Sequence, residues 1–108
     1  MNEELEYLVR RKLNITWNDP TTDARVRDIM DDVTPYLEHK LGVASGYDFS
    51  APGTERSLYL SCCLYEWDHV PRDEWEANYA RTIANVRAQH EVAAYKKEVD
   101  PDGDDGEA

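Results

Sequence analysis

Apolar side chains near the start of the chain fall at Leu5, Leu8, Val9 and Leu13, one stripe of a helix spanning about Asn2 to Leu13. Asn2 is placed to cap it. Glu3, Glu4 and Glu6 lie near the positive end of the helix dipole, and Arg10, Arg11 and Lys12 near the negative end. The stretch NITWNDP breaks the pattern. Asp19 and Pro20 then form an N-cap and first-turn pair, with Thr22 a competing cap. Val26, Ile29, Met30, Val33, Leu37 and Leu41 step by three and four, which predicts a second helix ending at Gly42. Pro35 lies inside it, removes one backbone donor and crowds the preceding turn, so a kink or a break is expected there.

Residues 42–53, GVASGYDFSAPG, read as a loop. A third helix follows, from Pro52 or Thr54 to about Asp68, with Val70-Pro71 marking its end. Its segment LYLSCCL also alternates as a strand would, but it stands alone between helical segments. The third helix is apolar nearly all round, as a buried helix is. A fourth helix is predicted from about Arg72 to Lys97, with Trp75, Tyr79, Ile83, Val86, His90 and Ala93 on one face. The fold class expected is all-α, a small bundle of about four helices.

Composition changes the picture at one end. Of the formal net charge of −11, residues 98–108 carry −6 through Glu98, Asp100, Asp102, Asp104, Asp105 and Glu107, leaving −5 for residues 1–97. With so little to bury, this segment is expected to be a disordered acidic tail on a helical domain of residues 1–97. The acidity argues against a DNA reader, which needs a basic face, and against docking on an anionic membrane. No apolar run reaches the roughly 20 residues of a membrane helix. The opening MNEELEYLVRRK is unlike a signal peptide, and the cysteines suggest synthesis in a reducing cytoplasm.

The candidate chemistry is concentrated in RSLYLSCCLYEWDHV, residues 56–70. On a helix the side chains of Cys62 and Cys63 diverge by about 100°, and His69 lies about 10 Å along the axis from Cys62. Zinc needs four donors at about 2.3 Å, so buried structural thiols are the better reading. A disulfide between these neighbours would be strained. A nucleophilic cysteine needs a base, and His90, on the apolar stripe of the fourth helix, is better read as a packed residue. His39 suits a helix C-terminus. Asp31 and Asp32, adjacent on a helix, cannot act on one bond together. The tail DPDGDDGE lacks the ligand register of a calcium loop. No catalytic, metal-binding or cofactor-binding residue is expected, and the chain reads as a non-enzyme. Trp17 either caps the core where the first helix turns into the second or stands exposed as an anchor for another subunit.

Three blocks taken in order carry a resemblance: KLNITWNDPTTDARVRDIMDDVTPYLEHKLG, YDFSAPGTERSLYLSCCLYEWDHV and DEWEANYARTIANVRAQHEVAAY. Over residues 5–95 the chain resembles the head–tail connector proteins, or head-completion adaptors, of long-tailed phages and prophages of Gram-positive bacteria. The resemblance implies a structural virion protein at the head–tail junction. It would assemble with itself into a ring, commonly of about twelve copies, under the portal protein. The ring would extend the DNA channel toward a stopper or tail-completion protein. Genomic DNA would pass through without sequence-specific binding, and acidic walls would repel its phosphates. No catalytic residue and no cofactor carries over. The contacts implied fall on the loop from Ala44 to Ser50 and on the segment after the fourth helix. With Trp17, this makes Tyr47, Asp48, Phe49, Lys96 and Lys97 the interface candidates. The acidic tail and Pro35 depart from the family pattern. The charge also fits a different role, an acidic DNA mimic or host-takeover protein, although such a mimic needs its carboxylates spread over the folded surface. A small enzyme with a cysteine nucleophile is the third reading.

Overall fold

The computed structural model describes residues 3–99, with side chains as far as Lys96. It contains five helices and, among the described residues, no strand: α1 (Glu3–Lys12), α2 (Pro20–Leu41), α3 (Thr54–Trp67), α4 (Arg72–Asn78) and α5 (Ala80–Val99). The all-α expectation holds. The expected cap Asn2 and the tail from Asp100 onward lie outside the described residues, while Glu98 and Val99 belong to α5.

α3 is the central element and touches each of the other four helices. Leu58, Tyr59, Cys62 and Cys63 on it are buried, together with Leu5 and Val9 of α1, the α2 stripe from Val26 to Leu41, and Trp75, Ile83 and Val86. These residues form one contiguous cluster around α3, and burying each large side chain contributes about 1.5–3 kcal/mol. Two polar groups enter it as a pair: Trp75 Nε1 donates to Ser61 Oγ at 3.0 Å, and Ser61 Oγ donates to the Leu58 carbonyl at 2.9 Å. LYLSCCL is therefore helical rather than a strand.

Three helices end in the same way. After α1, Ile15 N donates to the Arg10 carbonyl and Asn14 N to that of Arg11, with Asn14 at φ 61°. After α2, Val43 N donates to Glu38 and Gly42 N to His39, with Gly42 at φ 71°. After α3, Val70 N donates to Tyr65 and His69 N to Glu66, with His69 at φ 62°. Each is a Schellman closure, which satisfies two orphan carbonyls and places one residue in the left-handed region. Asn and His tolerate that region better than most side chains. At the other end of α2, Asp19 accepts from Thr22 N at 3.1 Å, and Pro20 opens the helix as predicted.

Of the kink or break expected at Pro35, the break is overturned: α2 runs through it as one helix. Pro35 is exposed, so water can reach the carbonyl its missing N–H leaves unpaired, which lowers the cost of an interior proline. The expected fourth helix is two helices, α4 and α5, separated at Tyr79, whose φ and ψ of −114° and 16° leave the helical region. α4 is pinned by the buried Trp75, and Tyr79 packs on that indole with ring centroids 5.7 Å apart. α5 then follows α2 instead. The four-residue spacing of Trp75, Tyr79 and Ile83 continues across the break, so periodicity alone does not reveal it.

Candidate functional site

Both sulfurs are buried in the core. Burial pushes the Cys62 thiol up to about 12, against the partial pull of Arg72, and holds Cys63 well above its ordinary value. Both thiols are free and stay protonated at neutral pH. His69 serves as the left-handed residue that ends α3, and its Nε2 lies 3.1 Å from an Arg25 guanidinium nitrogen. The same guanidinium sits 4.2 Å over the Trp67 ring and donates to the Trp67 carbonyl at 2.6 Å. Asp68 and His69 therefore belong to the helix stop. His90 Nε2 lies 2.8 Å from Glu55 Oε2 on α3, and its ring meets Tyr47 edge-on at 5.8 Å. Among the described residues, no group of three or more His, Cys, Asp or Glu is placed to hold a metal ion. No described helix is long and apolar enough to cross a membrane.

The loop 42–53 is built rather than loose. Asp48 Oδ1 accepts from Ser50 N at 3.0 Å and from Ser50 Oγ at 2.5 Å, an Asx turn. Glu38 Oε2 accepts from Gly46 N at 2.8 Å, and Arg56 donates to the Ser50 carbonyl at 3.2 Å. Phe49 is only 1% exposed and packs on Tyr59, ring centroids 4.9 Å apart, and on Tyr47 at 5.0 Å. Of the three loop candidates, Asp48 is exposed and Tyr47 half-buried, whereas Phe49 is an inward anchor that offers no surface to a neighbour. Between this loop, α1 and α2 lies a groove of about 450 Å³. Leu5, Pro35 and Phe49 supply its apolar lining, Asp31, Glu38 and Asp48 its acidic groups, and Tyr47 a further aromatic.

Two other surfaces display large apolar side chains. Trp17 is 48% exposed, so it is not a cap of the core; its Nε1 donates to Thr22 Oγ1 at 3.2 Å, while Arg10 donates to its carbonyl at 3.5 Å. Arg10 also pairs with Glu6 and Asp23. On α1, Tyr7, 58% exposed, carries the Arg11 guanidinium 5.8 Å above its ring. The second surface is the far half of α5, where Val92 is 53% and Tyr95 64% exposed and Lys96 is exposed beside them. The Lys97 side chain lies outside the described residues. Sequence reasoning missed Tyr7, Val92 and Tyr95. Ala88, Val92 and Tyr95 do fall at i, i+4 and i+7, a second apolar stripe that the stronger one through Ile83 and Val86 masks.

The structure thus brings Tyr47 and Asp48 to one groove, leaves Trp17 at a separate edge and Lys96 on a projecting helix, and withdraws Phe49 into the core. Comparison with known protein families, with curated proteins and with solved structures found no match in any of the three.

Proposed function

We propose that this protein is an assembly subunit of a phage particle, a head–tail connector that forms a ring under the portal and extends the DNA channel toward the stopper and tail. The observation that supports it most is the presence, on one small domain, of exposed large aromatic or apolar side chains in separate places: Tyr7 on α1 and Trp17 ahead of α2, and Val92 and Tyr95 on α5. Aromatic side chains standing in water are favoured anchors of protein interfaces. Such side chains in different places suit a subunit with neighbours in more than one direction. The ordered sequence blocks supply the identity of those neighbours: further copies of itself, a portal, and a stopper or tail-completion protein. The net charge of −11 suits a conduit that phosphates slide past.

The reading is tested by co-sedimentation of the full chain with portal particles encoded in the same genome. The protein is expected to travel with the portal in a fixed stoichiometry, and replacing Trp17 with Ala should weaken that association at least tenfold, about 1.4 kcal/mol. Failure to associate at high protein concentration would refute it.

A further inference from the structure

α5 meets the body along one side. Ile83 and Val86 are buried there, and His90 Nε2 lies 2.8 Å from Glu55. With a step of about 100° per residue, Asn85, Ala88, Val92 and Tyr95 lie on the opposite side. All four are exposed. They are spaced by three, four and three residues, and a further step of four reaches Val99 at the end of the helix. Alternate steps of three and four are the heptad pattern of a coiled coil, with Asn85, Val92 and Val99 at a and Ala88 and Tyr95 at d. In that register Ile83 and His90 fall at f and Val86 at b, away from the a and d seam. The helix thus holds the body with b and f and leaves a and d to solvent.

The flanking charges select a partner. Glu91 falls at g and Lys96 at e, five residues on, and these two positions meet across the seam of two parallel helices in register. Two copies of α5 make that pair twice, Glu91 of each to Lys96 of the other. An antiparallel pair sets g against g and so brings Glu91 to Glu91 or Glu98. Within its own helix Glu91 accepts from Arg87 Nε at 3.0 Å and is still exposed. Asn85, a polar residue at an a position, specifies register. Arg81, one d position earlier, would face another Arg81, so the seam begins at Asn85. The two bodies lie on the outer sides of such a pair.

We propose that α5 pairs with α5 of a second copy as a parallel, two-stranded coiled coil over residues 85–99. A two-fold contact closes on itself and builds no ring, so this is a contact of free copies and does not rest on the connector reading. The seam is about 22 Å long, roughly two heptads, where a self-sufficient coiled coil has three or four. Asp100, Asp102, Asp104, Asp105 and Glu107 follow it directly, and a parallel pair starts both acidic segments side by side. The pair is accordingly weak and calls for a method that captures it covalently.

Disulfide trapping under a mild oxidant tests this with the full chain at about 0.15 M ionic strength, where charges within about 8 Å still act on one another. Ala88→Cys puts a thiol at a d position, opposite its counterpart in the second copy. Ala94→Cys puts one on another exposed side of the helix. Cys62 and Cys63 are buried and do not compete. Linked dimer is expected from Ala88→Cys at about ten times the yield from Ala94→Cys. In the Ala88→Cys background, Glu91→Lys or Lys96→Glu sets like charges across the seam and should lower the yield about tenfold. Mixing those two variants should restore it, because only the mixed pair has opposite charges at both crossings. Equal yields from positions 88 and 94 mean random collision and overturn the proposal. So does an absence of linked dimer from Ala88→Cys, and so does a mixture that links no better than its parts.

Discussion

Cys62 and Cys63 look reactive in sequence because they stand together with Asp68 and His69 close behind. The helix separates the sulfurs, burial holds both protonated, and His69 is occupied in ending α3. In the native protein both thiols should resist an aromatic disulfide reagent at pH 8 and react fully once unfolded; rapid stoichiometric labelling of the folded protein would contradict this. Burial raises the Cys62 thiol from 9.0 to about 12, so above pH 9 the unfolded chain loses a proton that the folded chain keeps. Stability is then fully present below pH 9 and falls as the pH rises toward 12. Cys62→Ala should flatten that part of a denaturation-versus-pH curve, at some cost in packing at neutral pH. The loop residues show the limit of sequence at this scale. An aromatic in a polar loop can point either way, and Phe49 points in because Tyr59 and Tyr47 offer it stacking partners. Tyr59 reaches it from the next helix, and nothing in the loop's own sequence says so.

Among the elements, α1 and α2 were legible because an apolar stripe and a change of pattern at each end agree, whereas α3, apolar nearly all round, was placed by the loop before it and Val70-Pro71 after it. The Asp19–Pro20 start and the Gly42 stop of α2 are local chemistry, readable without tertiary contacts. The division of α4 from α5 is tertiary: Trp75 seats against α3 while Ile83 and Val86 follow α2, and Tyr79 takes up the change of direction. The left-handed stops can be tested directly. Gly42→Ala leaves Cβ in ordinary contact with Arg87 Cγ at 3.6 Å, so its cost comes from backbone strain at φ 71°, about 1–2 kcal/mol. His69→Gly relaxes the same strain while losing the Arg25 contact, and should change stability by less than about 1 kcal/mol in either direction. Denaturant unfolding of the two variants checks both, and a Gly42→Ala protein as stable as the parent would remove the Schellman account of α2. Trp75→Ala, which empties the largest buried site and removes the donor to Ser61 Oγ, should cost about 3–5 kcal/mol.

For the whole molecule, the surfaces proposed to meet partners were only partly visible in the sequence. Trp17 and Lys96 were singled out and are exposed, but the acidic groove joins Leu5 to residues 31–38 and 46–49, and only folding brings these together. Net charge works against association of free copies, so a ring should form most readily where a template gathers subunits. The most direct test of the connector account is cryo-electron microscopy of the full chain mixed with portal particles from the same genome. A ring of added helical density is expected, about one copy per portal subunit, continuing the channel away from the capsid. Portal particles that show no added density at saturating protein concentration would contradict it.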